Sequence, residues 1–300
     1  MKKLVFGSLN IDRTYQVPHF VLPGETLMSE KMELFCGGKG FNQAIAFARA
    51  GEKMSFAGAV GADGDLLVQG LEQDGISLEY LRRVNGASGH AVIQVDPQGQ
   101  NCIIILPGAN GEISKEYIDE TLSHFGAGDF IMLQNEISNI DYLITQAKNR
   151  GMIVGFNPSP WNEKASDCDY SLMDYLLVNE VEGAAVAGSD QPDEILTMIH
   201  SRYPNMNVLL TLGSNGSIYM DRTGKRTVGT IHKVDAVDTT AAGDTFTGYF
   251  LSELLNGSSP ERSLAIAAIA SGISVSRKGA SASIPYRDEV EKVYQQKASC

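Results

Sequence analysis

The sequence predicts an α/β fold: a mostly parallel sheet flanked by helices, with a small β-sheet lid standing off it. Buried-strand runs alternate with helical patterns along the chain, the order that builds a parallel sheet covered on both faces. One stretch breaks the rhythm, since residues 90–95 and 101–106 are joined only by Asp96-Pro97-Gln98-Gly99, the pattern of a β-hairpin.

In chain order, residues 4–9 read as a buried first strand, and residues 14–35 as extended chain containing the Pro23-Gly24 turn. Residues 42–50 read as a helix closed by Gly51, 54–59 as a strand and 65–74 as helical. Strands follow at 130–133, 152–156, 176–178 and 208–212, with helices at 142–150 and 193–203 between them. Phe246, Tyr249, Phe250 and Leu254 recur at helical spacing, so a helix runs from near Gly243 until Asn256-Gly257 ends it. After Pro260 a further helix spans 261–276. The expectation is one domain over 1–300, with right-handed connections and ligands at the strand carboxyl ends. The lid is formed by about 13–36 and 88–107; it either closes over a substrate to exclude water or is an ordinary surface hairpin.

Composition narrows the function. With 300 residues, 43% of them hydrophobic, the chain can bury a large core. A formal charge of −12 argues against nucleic acid or an anionic membrane as partner, leaving a small molecule. Cys36, Cys102, Cys168 and Cys300 are scattered without a CxxC pair, which suits a reducing cytoplasm and points to neither a disulfide framework nor a zinc site. The apolar run after Met1-Lys2-Lys3 breaks at Gly7, so no secretory segment is expected, and no run approaches the ~18 apolar residues of a membrane span. His19, His90, His124, His200 and His232 lack metal-ligand spacing.

The chemistry concentrates in Asp238-Thr239-Thr240-Ala241-Ala242-Gly243-Asp244, placed where a strand is expected to turn into a helix. The N–H groups of Ala241, Ala242 and Gly243, beside small side chains at a helix start, can meet an anion that the helix dipole favours. Asp244 next to them can accept a proton from an attacking hydroxyl. A helix cap is the bland alternative. Ala127-Gly128-Asp129 repeats the tripeptide ahead of a buried strand and reads as a turn. The Thr-rich lead-in, the second acid and the helix behind distinguish the later copy.

Gly37-Gly38-Lys39-Gly40-Phe41-Asn42 also opens a helix, but its lysine is followed by glycine, so it is not a Walker A loop. Asn10 and Asp12 leave the first strand on one side of an extended chain and, with Asn42, suit vicinal hydroxyls; alone they could equally be turn residues. Ala265, Ala267, Ala268, Ala270, Ser271 and Gly272 give the 261–276 helix a small-residue surface, for a planar base or for tight helix packing. Thr211-Leu212-Gly213-Ser214-Asn215-Gly216 is an amide-rich loop suited to nucleotide phosphates or ribose.

Asn10-x-Asp12, Pro23-Gly24-Glu25, the Gly37 to Asn42 segment, Asn179-x-x-Glu182, Thr211-Leu212-Gly213 and the Asp238 to Asp244 segment together resemble the ribokinase family of ATP-dependent carbohydrate kinases, in family order over about 4–285. The resemblance implies a Rossmann-like domain whose β lid is often the dimer contact, and transfer of the ATP γ-phosphate to a sugar hydroxyl. It makes Asp244 the general base and Ala241, Ala242 and Gly243 the anion hole. Asn10, Asp12, Gly38, Lys39, Gly40, Asn42 and Glu136 match the sugar contacts. Asn179, Thr211, Leu212, Gly213, Ser214, Asn215, Gly216, Gly243 and Ala268 match the nucleotide contacts. Glu182 corresponds to the residue that orders Mg²⁺ through water. Asp238, Thr240, Ser274, Arg277 through its carbonyl, Gly279 and Ser283 match a potassium site. The Gly-Gly-Lys-Gly-x-Asn segment with Asn10-x-Asp12 points to D-ribose, against deoxyribose, fructose, tagatose or a non-catalytic sugar-binding regulator. A cytoplasmic homodimer joined through the lid is expected. Two positions depart from the family pattern: Ala268 stands for a more polar residue, and Asn135 for an apolar one.

Overall fold

The computed structural model describes residues 1–298. Strand β1 (Lys3–Phe6) lies at the heart of the larger sheet with β4 (Ser55–Val60) on one side and β8 (Phe130–Gln134) on the other, both parallel to it. β5 (Ser77–Arg83) extends the first side. β9 (Ile153–Asn157), β10 (Tyr175–Asn179) and β11 (Asn207–Thr211) extend the second in parallel, and β12 (Ser217–Met220) and β13 (Arg226–Gly229) finish it antiparallel.

Alternate strand residues feed two cores. Leu4, Phe6, Ile131 and Leu133 pack with α3 (Lys115–Leu122), α4 (Ile140–Asn149), α6 (Glu180–Ala187) and α7 (Pro192–Arg202). Val5, Phe130 and Met132 pack on the opposite face with α1 (Lys39–Arg49), α2 (Asp65–Gln73), α8 (Ala242–Leu255), α9 (Pro260–Val275) and α10 (Arg287–Ala298). The central strands carry apolar runs such as Leu4–Phe6 and Phe130–Leu133 because both faces are covered. Short α5 (Glu163–Ser166) follows β9. Strand order reverses between β1 and β8, and the crevice outside their carboxyl ends is where such sheets bind ligands.

A second, four-stranded sheet has the order β3 (Lys31–Gly37), β2 (Asn10–Gln16), β6 (Gly89–Val95), β7 (Asn101–Leu106). β2 and β6 run parallel at its centre. β2 starts at Asn10, before the expected boundary at 13, so two expected ligand residues lie on this sheet.

Two expectations are corrected. No strand leads into α8: between Gly229 and Ala242 the chain has no helix or strand, and it is held by bonds such as those from the Val237 and Asp238 amides to the Val275 carbonyl. α1 starts at Lys39 rather than 42, for a reason given below. Strands β5, β12 and β13 and helices α3 and α10 were not anticipated. Among the described residues no helix is long and apolar enough to cross a membrane. Cys36, Cys102 and Cys168 are free, and Cys300 lies outside the described residues.

Candidate active site

Asp244 sits in the first turn of α8 and is only 7% exposed. Both its oxygens are held from α1: Asn42 Nδ2 donates to Oδ2 at 3.1 Å and Gln43 Nε2 to Oδ1 at 2.9 Å. α1 comes this close because Gly248, one turn after Asp244, has no side chain; a Cβ there would lie 2.4 Å from that of Ala46. Ala241, just ahead of the helix, is left-handed at φ 60°. Ser271 Oγ on α9 donates to the Ala242 carbonyl at 3.0 Å and ties the loop down. Of the three amides expected to face an anion, that of Ala242 already donates to the Thr239 carbonyl, at 3.2 Å.

The start of α1 differs from expectation. Lys39 N–H donates to Glu136 Oε2 at 2.8 Å, and Gly40 N–H to Ser8 Oγ at 3.2 Å, while Ser8 Oγ donates to that same Glu136 oxygen. A carboxylate and a hydroxyl from the β8 and β1 ends thus satisfy the first-turn donors, and the protein's own anion takes the favourable end of the helix dipole. The helix therefore begins three residues early, and Gly40 packs so closely on the chain after β1 that a Cβ there would lie 2.4 Å from the Ser8 amide nitrogen.

Lys39, Asn179, Glu182, Thr211, Gly243 and Asp244 line a cleft of about 260 Å³ together with Asn157, Ser159 and Thr247. Burial would lower the Lys39 ammonium, but the carboxylates of Asp244, Glu136 and Glu182 outweigh it and raise it above its ordinary value. Lys39 is therefore a firmly held cation among three acids. Asp12 adjoins this group on the second sheet, where burial, with the Glu136 charge beside it, pushes its carboxyl up to about 7. Asn10 is buried, bonded through Oδ1 to Asn110 Nδ2 at 2.8 Å. Asn10 and Asp12 do not themselves line the cleft.

At the other end, Asn179 and Glu182 cap α6 reciprocally: Asn179 Oδ1 accepts from the Glu182 amide at 2.9 Å and Glu182 Oε2 from the Asn179 amide at 3.0 Å. Glu182 is 5% exposed, and a single carboxylate lining the cleft is a donor set that would suit a water-rich Mg²⁺. In the 211–216 loop the amides of Leu212, Asn215 and Gly216 are turned inward on Gly216, Leu212 and Gly213 carbonyls, so fewer face outward than the composition implied. Ser214 and Gly213 are exposed there.

Ala268 and Ala265 line a second cavity, of about 270 Å³, with Thr230, Ile231, His232 and Tyr294. Tight packing is one of the two expected uses of this helix, and Ala267 and Ala270 are wholly buried in the core while Gly272 packs against His232. Ala265, Ala268 and Ser271 share one face of α9, so the cavity begins roughly 5–9 Å along the helix from the loop at Ala242.

Of the expected cation residues, Asp238, Thr240 and Gly279 are joined by hydrogen bonds. Asp238 accepts from the Thr240 amide and hydroxyl and, at 3.0 Å, from the Gly279 amide. Burial pushes its carboxyl up, but these bonds and Lys278 outweigh it and hold it below its ordinary value. The Arg277 amide bonds the Ser274 carbonyl at 3.1 Å, and Ser283 is buried nearby in sequence beside Ala280, whose carbonyl it bonds. Arg277 directs its guanidinium at Glu289.

Sequence reasoning missed Ser8, Gln43, Asn110, Gln134 and Asn157. The signal available was that buried strand runs end on amides, as Leu133-Gln134-Asn135 and Phe156-Asn157 do. Asn135, flagged as a departure, commits its amide to the Pro160 carbonyl and Asn162 Oδ1.

The pfkB family carbohydrate kinase model matches residues 2–287 of the chain. The chain belongs to this family of carbohydrate kinases. A ribokinase from Haemophilus influenzae is 35% identical over 295 residues, covering 95% of each chain. A deoxyribokinase from Salmonella typhi is 32% identical over 291 residues, covering 94% of each. The solved structure of Arabidopsis thaliana ribokinase complexed with ribose and ATP superposes with a TM-score of 0.85 at 31% identity and 97% coverage of both chains. The pfkB-family fold thus extends over nearly the whole chain, which is an ATP-dependent carbohydrate kinase.

Proposed function

We propose that the enzyme transfers the γ-phosphoryl group of ATP to a hydroxyl of D-ribose, giving ribose 5-phosphate, with Asp244 as general base. The observation that carries this reading is the Asp244 carboxylate itself, buried at a helix start, held through both oxygens and lining the same cleft as Lys39 and Glu182. The hydroxyl O–H bond breaks and its proton passes to Asp244. The new O–P bond forms as the β,γ-bridging P–O bond breaks, and ADP leaves with that electron pair. Little covalent work is asked of the protein, so Lys39, the Gly243 amide and the α8 dipole act by stabilising charge on the phosphoryl oxygens.

Asn10, Asp12, Asn42 and Glu136 hold the sugar. Asn179 and the 211–216 loop take the nucleotide, whose base enters the cavity along α9. Glu182 would hold a magnesium ion through water, and that ion would supply charge neutralisation for the transferred phosphoryl group. Potassium is assigned to the Asp238, Thr240, Ser274, Arg277, Gly279 and Ser283 cluster, whose oxygen donors suit it. A deoxypentose is the second reading, favoured by the Salmonella relative.

The second sheet supports a dimer. Its outer strand β7 carries Ile103, Ile104, Ile105 and Leu106, each about half exposed although successive residues point to opposite faces. An apolar edge of this kind invites a second copy of the chain. A monomer by light scattering at micromolar concentration excludes it.

The deciding assay is ADP release with Mg-ATP and potassium across ribose, 2-deoxyribose, fructose and tagatose, with Asp244→Asn alongside. A wide lead for ribose and a dead variant are expected. A lead for another sugar overturns the substrate, and an active variant overturns the base.

A further inference from the structure

Gln43 and Gln134 are wholly buried where α1 crosses β8, although leucine would fill either place without a polar cost. Gln134 Oε1 has no hydrogen-bond partner among the protein atoms, a polar cost that leucine would not carry. Their bonds form a chain of fixed polarity. The Leu177 carbonyl can only accept, so it takes Asn157 Nδ2, at 2.8 Å, and turns Asn157 Oδ1 toward Gln43. Gln43 Nε2 then donates to Asn157 Oδ1 at 3.3 Å and to Asp244 Oδ1 at 2.9 Å. Gln134 Nε2 donates to Gln43 Oε1 at 2.7 Å and holds the amide from behind. A backbone carbonyl at the far end of the chain therefore dictates that an N–H, never a carbonyl oxygen, meets Asp244.

We propose that Gln43, oriented by Gln134 and Asn157, is a positioning residue for phosphoryl transfer: with Asn42 on the other oxygen, it fixes the Asp244 carboxylate against α1 in one orientation at the cleft. This rests on Asp244 being the base. Gln43 touches neither substrate and acts only through that carboxylate.

The test compares Gln43→Leu, Gln43→Glu, Gln134→Leu and Asp244→Asn by kcat, by KM for ribose and for ATP, and by pH–rate profile. Gln43→Leu should lower kcat by ~10-fold or more, a misplaced base being that costly, with both KM values within about threefold. Gln134→Leu should lower kcat less. Gln43→Glu keeps the shape but sets a carboxylate against Asp244, and should move the acid limb of the kcat/KM profile up by about one pH unit or more. A purely structural role would lower the melting temperature of Gln43→Leu and Gln134→Leu and leave kcat, measured well below that temperature, in place. Unchanged kcat and pH profile in the Gln43 and Gln134 variants, beside an inactive Asp244→Asn, overturns the proposal alone. An active Asp244→Asn overturns the base reading and this proposal with it. Should Gln43→Leu fail to fold, the kcat of Gln134→Leu, which removes only the support behind Gln43, decides the matter.

Discussion

Asn110 Nδ2 donates to Asn10 Oδ1 at 2.8 Å, and that bond decides which end of the Asn10 amide is left for a ligand. Asn110 itself cannot flip, because its Oδ1 accepts the Leu9 amide at 3.0 Å while its Nδ2 also reaches the Leu9 carbonyl at 3.1 Å. Asn10 therefore offers its Nδ2 donors. Gly89 leaves room for the pair, since a Cβ there would lie 2.1 Å from Asn110 Nδ2 and 2.3 Å from Asn10 Oδ1. Asn110→Asp keeps the acceptor for Leu9 but loses the donor to Asn10. It should raise KM for the sugar about 10-fold, the size of one charge-free hydrogen bond lost, and leave KM for ATP alone. Equal changes in both KM values would show that Asn110 only holds the fold.

Asp12 gives the enzyme a pH dependence. Its carboxyl is raised to about 7, against ~4 in an unfolded chain, so the native state holds the proton longer. The sign follows: its contribution to stability is fully present below ~4 and is lost as pH rises through about 7. Asp12→Asn, which cannot ionise, should therefore melt above the parent protein, by a margin that grows from pH 4 to pH 8. Sugar binding should run the other way, KM for the sugar rising as pH falls below about 7 and Asp12 stops accepting hydroxyl protons. Melting curves of both proteins across that range check the first, and a margin independent of pH refutes it.

Ala241 holds a left-handed backbone, φ 60° and ψ 11°, immediately before the catalytic turn. For a residue with a Cβ this costs ~1–2 kcal/mol, and glycine relieves it at an entropic cost of ~0.5–1 kcal/mol. Ala241→Gly should therefore stabilise the protein slightly, by up to about 1 kcal/mol. Ala241→Val should lower both the melting temperature and kcat, because a β-branched residue cannot hold that conformation. A lower melting temperature for the glycine variant would show that the alanine is not strained.

How much of this was legible depends on how local each signal is. The hairpin could be read closely, since 90–95 and 101–106 flank a turn that announces itself and pair from His90 with Leu106 to Val95 with Asn101. Asp244 was legible because its glycine, its helix and its lead-in are contiguous. The start of α1 was not, because the group that caps it, Glu136, is 97 residues from Lys39. Gln43 lies 201 residues from Asp244 and 91 from Gln134, so nothing near it in sequence marks it as more than a polar interruption of a helix face. The four-residue strands β12 and β13 are too short for periodicity to separate from loop.

Glu182 carries two duties that substitution can separate. One oxygen caps α6 by accepting the Asn179 amide, and the cleft it lines is the assigned place of the hydrated metal. Glu182→Gln keeps a carbonyl oxygen for the cap but removes the charge. It should melt within a degree or two of the parent, because the reciprocal cap survives, while the magnesium concentration needed for half-maximal rate rises about 10-fold or more. Glu182→Ala loses both, and should add a loss of ~1 kcal/mol in stability to the same magnesium defect. Titrating Mg²⁺ at saturating ATP and sugar, with melting curves for all three proteins, tells them apart. If Glu182→Gln matches the parent in magnesium demand and only Glu182→Ala falls, the residue is a helix cap and the metal is held elsewhere.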